Sequence, residues 1–218
     1  LICRPESSEV SAFINAITTN LTSFFRELHH FEFLTNRVFP ELLKKNADSR
    51  RIRIWSAGCS TGEEPYSLAM TIAEYFRKHR GWDIKVLATD LDSDVLDTAK
   101  NGVYKTERIE NLDKKKLRDW FQKGNDGASV KVKDSLKEWI SFRQLNLMND
   151  WPFNGPFDVI FCRNVIIYFS KDTQKVLVNR YADMLADNSY LLLGHSESLF
   201  KVTDRFELLG NTIYQKTK

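Results

Sequence analysis

Gly58 and Gly62 stand four positions apart in the run Ser56-Ala57-Gly58-Cys59-Ser60-Thr61-Gly62-Glu63-Glu64-Pro65. The chain has only nine glycines in 218 residues, about 4% against a usual ~7%, so two in one loop mark it. Glycine permits positive φ and lets a ligand approach the backbone. Ser60 and Thr61, each followed three residues on by Glu63 and Glu64, offer capping-box chemistry, and Pro65 suits a first helical turn. A tight, well-capped turn and a ligand cradle both fit this loop. It is not a Walker A loop and lacks the third glycine of the dinucleotide fingerprint. Two acids at the helix start would repel a pyrophosphate despite the positive helix end. They suit a cation, a sulfonium or an amine.

Asp90 closes the next apolar run, where an acid can accept both hydroxyls of a ribose. Asp92 and Asp94 compete as helix caps. Asn146-Leu147 ends a further strand; it reads as a plain turn or as an amide and an apolar side chain for a purine. Arg163-Asn164 closes the apolar strand Phe157–Cys162, and a buried strand end has no structural need for an arginine. Tyr168, four residues after Asn164, can reach the same cavity or sit in the core. Gly194-His195-Ser196-Glu197-Ser198 resembles a nucleophile elbow, but its last position is serine and no histidine follows it. It reads as a loop bordering the pocket. His29, His30 and His79 form no metal site with it, and no metal is expected.

The elements that must carry these residues alternate. Phe13, Ile14, Ile17, Leu21, Phe24, Phe25 and Leu28 recur at helical steps and predict helix over 8–34, interrupted at Thr18-Thr19-Asn20, with a short helix at 36–46. Strands are expected at 51–57, 84–89, 140–145, 157–162 and 190–193, and helices at 63–80, 93–101, 113–123 and 171–186. The runs 206–209 and 212–215 around Gly210-Asn211 read as a terminal hairpin. This is a doubly wound, mostly parallel α/β sheet, whose ligands bind beyond the carboxyl strand ends at the switch point.

Composition is that of a folded globular chain, 42% hydrophobic and 28% charged. No apolar run approaches the ~18 residues needed to cross a bilayer. Arg4, Glu6 and Glu9 interrupt the opening residues, so no signal-peptide pattern is read there. The start at Leu1 reads as a trimmed chain. Three scattered cysteines point to a reducing, cytoplasmic compartment. A net charge of +3 does not by itself suggest a nucleic-acid binder, and no nucleic acid is expected as a partner. The charge is uneven, with eleven basic and seven acidic residues between Lys105 and Arg143.

Four separated motifs, in order, carry a resemblance. Thr18-Thr19-Asn20-Leu21-Thr22-Ser23-Phe24-Phe25-Arg26-Glu27, Trp55–Ser67, Phe161–Phe169 and Gly194–Glu197 together resemble the chemotaxis receptor methyltransferases, the CheR family. The similarity runs from about Phe13 to the C-terminus. It implies the class I S-adenosylmethionine methyltransferase fold, with a terminal antiparallel hairpin and a small β-subdomain inserted at about 105–143. It implies residues 1–46 as an N-terminal helical segment, the remnant of a helical domain plus a cofactor-contacting helix, and 47–218 as the methyltransferase domain. The activity implied is S-adenosylmethionine-dependent methylation of glutamate side chains on cytoplasmic chemoreceptor helices, with no membrane insertion and a monomer expected. Cofactor contacts carry over to Asn20, Thr22, Arg26, Gly58, Glu64, Asp90, Asn146, Leu147, Arg163 and Asn164. Tyr168 carries over to the tyrosine near the transfer site, and Arg26 and Tyr168 are the candidates for positioning the transfer. Apart from the N-terminal group, position at strand ends had already singled these out.

Two other readings stay open. One is a methyltransferase with another acceptor, although the Asn-Pro-Pro-Tyr type motif of amino-group enzymes is absent. The other is a non-catalytic adenosylmethionine-binding adaptor. The resemblance implies that some members capture a receptor tail peptide as an extra strand through a slightly longer, glycine-bearing loop; the shorter turn Gly124-Asn125-Asp126-Gly127 leads to the expectation that this protein does not depend on such a peptide. Lys131, Lys133 and Lys137 could instead attract acidic methylation helices directly.

Overall fold

A computed structural model describes residues 21–124 and 127–218. In chain order the elements are α1 (His29–Phe33), a π turn (Leu34–Val38), α2 (Phe39–Lys45), β1 (Arg51–Ala57), α3 (Glu63–Phe76), β2 (Asp83–Asp90) and α4 (Ser93–Asn101). Then come β3 (Val103–Lys105), α5 (Lys114–Trp120), β4 (Phe121–Lys123), β5 (Ser129–Val132), α6 (Asp134–Lys137) and β6 (Ile140–Gln144). The chain closes with β7 (Phe157–Cys162), α7 (Lys171–Met184), β8 (Leu185–Leu193), β9 (Phe206–Gly210) and β10 (Ile213–Lys216).

The main sheet has the order β6-β2-β1-β7-β8-β10-β9. β6, β2, β1, β7 and β8 are parallel; β10 runs antiparallel between β8 and β9. All six residues of β7 are buried, as expected of a strand covered on both faces. The two-residue period divides its neighbours between two cores. Ile54, Phe161 and Leu192 face a core built with α1–α3. Trp55, Cys162 and Leu191 face one built with α7. Chain order reverses between β1 and β7. The carboxyl ends of β1, β2, β6 and β7 therefore surround one crevice.

Residues 21–28 depart from the helical expectation. Phe25 (φ 53°) and Glu27 (φ 56°) are left-handed, and the helix starts only at His29. Tertiary contacts override the local period. Phe24 is buried edge-on against Tyr104 and Phe121, at 5.1 and 5.6 Å. The Phe25 N–H donates to Ser67 Oγ at 2.9 Å. Leu21 and Leu28, two of the residues in the predicted apolar stripe, are exposed. Residues 1–20 lie outside the described residues.

β3, β5 and β4 form a three-stranded antiparallel sheet of their own. It does not have a separate core. Phe121, Val130 and Val132 pack in one cluster with Tyr66, Met70, Leu96 and Phe24. Ile140–Gln144, although it begins within the basic stretch, pairs with β2 in the main sheet. Of the lysines expected to attract a partner, Lys133 donates to the Arg118 carbonyl and Lys137 to the Asn101 carbonyl, both at 2.7 Å. Lys131 is exposed. Among the described residues, no helix is long and apolar enough to cross a membrane.

Candidate functional site

A cavity of about 540 Å³ opens over the crevice, within the usual range for a small-molecule site. Thr22, Arg26, Gly58, Glu64, Asp90, Asn146, Leu147, Arg163, Asn164 and Tyr168 all line it. Asn20 lies outside the described residues. Leu21, Leu145, Val165, Ile167 and Phe169 supply apolar wall.

The loop after β1 does not use the expected capping box. The N-cap of α3 is Gly62 (φ 96°), with no side-chain cap, because the polar groups before it are engaged elsewhere. Thr61 Oγ1 donates to Glu63 Oε2 at 2.6 Å, and the Ser60 N–H donates to Asp90 Oδ2 at 2.7 Å. An added Cβ at Gly62 would stand 2.8 Å from Ala99 Cβ, so α3 and α4 meet where only glycine fits. The two acids also part company. Buried Glu63 turns to Arg108 at 2.9 Å, and Glu64 alone reaches the cavity.

Asp90 is held locally. Its other oxygen accepts from the Asp92 N–H at 3.1 Å, and burial raises its pKa against these two bonds. Each oxygen keeps a lone pair for a vicinal diol. Asp92 instead caps α4, accepting from the N–H groups of Asp94 and Val95.

Glu64 is held by distant side chains. Ser56 Oγ donates to Oε1 at 2.7 Å, and Arg163 Nη1 to Oε2 at 3.0 Å. Arg163, itself buried, is shared. Its Nε and Nη2 lie 3.4 and 3.3 Å from Glu27 Oε2, and Nη2 also donates to the Arg26 carbonyl. Glu27 Oε1 accepts from the His195 N–H and faces His195 Nδ1 at 2.9 Å. Burial pushes Glu27 up, but the Arg163 charge and the His195 bonds outweigh it and hold the carboxyl below its usual range.

Glu197 organises the loops after β7 and β8. Its buried carboxylate accepts from four backbone N–H groups, those of Gly194, Asn164, Val165 and Ile167, at 2.6–3.3 Å. This sets Asn164 (φ 58°) and turns Tyr168 out to the cavity mouth, where it is 62% exposed. Tyr168 is therefore not a core residue. Asn146 Oδ1 accepts from the Met148 N–H, leaving the amide nitrogen to donate. Arg180 of α7 donates to the Leu147 and Asn149 carbonyls and fixes that loop.

A family model described as "CheR methyltransferase, SAM binding domain" matches residues 20–215. The chain belongs to the CheR methyltransferase family. It is 42% identical over 207 residues to a probable chemotaxis protein methyltransferase of Rhizobium etli, covering 94% of this chain and 77% of that one. It is 42% identical over 217 residues to the chemotaxis protein methyltransferase of Escherichia coli, covering 97% and 72%. Against that of Borreliella burgdorferi the identity is 46% over 190 residues, covering 85% and 67%. Among solved structures it is similar to the DszA carbon methyltransferase, with a TM-score of 0.48 and 16% identity over 76% of this chain and 34% of that one.

In this CheR-family chain, sequence reasoning missed Glu27 and Glu197. Both sat inside quoted motifs, yet apart from the Gly194 N–H their partners described above are 30 to 168 residues away. The available signal was an acid beside each chemically marked group, Arg26 and Ser196. Glu27, His29 and His30 also bring donor atoms within 4.8 Å of one another. Glu27 faces Arg163, and both imidazole Nε2 atoms face the Asn211 carbonyl, while the buried His30 Nδ1 lies 3.5 Å from Glu27 Oε2 and has no hydrogen-bond partner among the described residues.

Proposed function

We propose that this protein transfers a methyl group from S-adenosylmethionine to glutamate carboxylates on cytoplasmic chemoreceptor helices, acting as a monomer on the cytoplasmic face of the receptor. The observation that carries the reading is the placement of two acids, Glu64 and Asp90, in one cavity at the strand ends of a CheR-family domain. The donor set fits the cofactor. Asp90 would take the ribose hydroxyls, Glu64 the amino-acid ammonium, and Asn146 with Leu147 the adenine.

When bound, S-adenosylmethionine supplies a methyl group on a sulfonium, which needs no further activation. The acceptor carboxylate is ionised at neutral pH, with an ordinary pKa near ~4.3. No general base is needed, so catalysis rests on alignment and on stripping water from the carboxylate. Alignment of this kind contributes roughly 7–11 kcal/mol in intramolecular reactions. Arg26 lines the cavity, and its Nη1 donates to the Leu21 carbonyl at 2.8 Å. Among the described residues it makes no ion pair with a carboxylate. A tight Arg–carboxylate pair would hold back the nucleophile, so Arg26 places the cofactor while Tyr168 guides the acceptor at the mouth.

The test is labelled S-adenosylmethionine with a receptor cytoplasmic fragment. Base-labile label on the receptor is expected. Base-stable label would mean N-methylation, and no label would favour an adaptor.

A further inference from the structure

Arg163 is a single buried cation between two carboxylates, Glu64 on the cavity side and Glu27 behind it. Without Glu27, only the Arg26 carbonyl would hold the Nε–Nη2 edge of the guanidinium back from turning onto Glu64 as a bidentate fork. Glu64 and Arg163 would then form a neutral pair with little attraction for an ammonium. With Glu27 present, the three groups carry a net charge of −1, and Glu64 receives one guanidinium bond instead of two. The backbone is adapted to this arrangement. Glu27 holds a left-handed conformation that costs a non-glycine residue, and His195 grips its second oxygen from another loop.

We infer that Glu27 is a positioning residue that sets the affinity for the amino-acid end of the cofactor by charge. It draws Arg163 back and leaves Glu64 with an uncompensated negative charge facing the cavity. Glu27 touches no ligand in this role; it acts through Arg163. The inference rests on the assignment of Glu64 as the ammonium acceptor.

The experiment is calorimetric titration with two probes, S-adenosylhomocysteine and 5′-methylthioadenosine, which lacks the amino-acid part. Glu27→Gln keeps an oxygen for the His195 N–H but removes the charge. It should raise the Kd for S-adenosylhomocysteine about tenfold and leave that for methylthioadenosine within about twofold. A merely structural role would weaken both equally. Charge balance makes a second demand. In the double variant Glu27→Gln/Arg163→Gln, Glu64 again stands alone at −1, and the preference for S-adenosylhomocysteine should return. If the double variant prefers it no more than Glu27→Gln does, or if Glu27→Gln weakens both probes alike, the inference is overturned. Glu64→Gln separates the two layers. It should abolish the preference; if it leaves the preference intact, the reading of Glu64 itself fails and the role of Glu27 fails with it. If Glu64→Gln acts but Glu27→Gln does not, only the role of Glu27 is lost.

Discussion

Asp90 and Glu64 are two acids of one cavity, and they are held in opposite ways. Asp90 is fixed by backbone N–H groups of its own turn and of the adjacent β1 loop. Glu64 is fixed by a chain of side chains, Ser56, Arg163, Glu27 and His195, drawn from four segments. Backbone anchoring gives a geometry that survives most single substitutions outside the residue itself. A buried charged network gives a tunable charge, at the risk that one loss leaves another ion unpaired. The Asp90 end of the cavity is thus held by backbone, whereas the Glu64 end depends in part on side chains, Glu27 and His195, that do not line the cavity.

The largest expected effect comes from breaking the network at its centre. Arg163→Ala leaves the buried Glu64 and the partly buried Glu27 without their shared cation, and should cost about 3–5 kcal/mol of stability. Urea unfolding measures it. A loss no greater than that of an exposed arginine would show that the network relaxes freely and that the contrast with Asp90 is false.

A second test uses pH on the same knot. Burial, then the Arg163 charge, pushes the His30 imidazole down from 6.5 to about 4, against the bond to the Asn211 carbonyl and the charge of Glu27; His29 also faces it and lowers it further. The unfolded chain takes up this proton near 6.5, so the folded state binds fewer protons between the two values. Stability is full above about pH 6.5 and falls as pH drops towards 4, by up to about 3 kcal/mol at ~1.36 kcal/mol per unit. His30→Gln should flatten this part of the stability profile. Identical slopes for the two proteins from pH 7 to 4.5 would remove His30 as the cause.

At the ribose end, Asp90→Ala should raise the Kd for S-adenosylhomocysteine at least tenfold, about 1.4 kcal/mol or more, with unfolding unchanged. It should weaken 5′-methylthioadenosine to the same degree, unlike substitutions in the network. Equal affinity for wild type and variant in calorimetry would take Asp90 out of the site.

Arg26→Ala sharpens the comparison at the transfer point. Turnover should fall more than cofactor affinity, read as kcat against Kd. Equal losses would place Arg26 with the binding residues alone.

The smallest expected effect is outside the cavity. Removing the receptor's tail peptide should leave methylation unchanged, while raising salt should slow it, because exposed charges are screened over ~8–10 Å. Lys133 and Lys137 are partly committed to backbone carbonyls, so the salt effect should be modest. Micromolar peptide binding, with methylation lost on tail deletion, would overturn this.

What the sequence determined by itself is local and periodic. The near-continuous apolar run Phe157–Cys162, broken only by Asp158, read as a buried strand, and the bounds 93–101 of α4 were readable from its apolar spacing and the acid before it. Asp90 and Arg163 were legible because a chemically costly residue closed an apolar strand. Only the tertiary structure decided which polar group meets which. It sent Glu63 to Arg108 and Glu64 to the cavity, although the two are neighbours in sequence. It undid the helix expected over 21–28 by burying Phe24 against Tyr104 and Phe121 and by drawing Glu27 to Arg163 and His195. It gave Glu197 four N–H groups to bind. These outcomes depend on partners tens of residues away, and a buried carboxylate is stable only where those partners converge. Periodicity carries no information about that convergence.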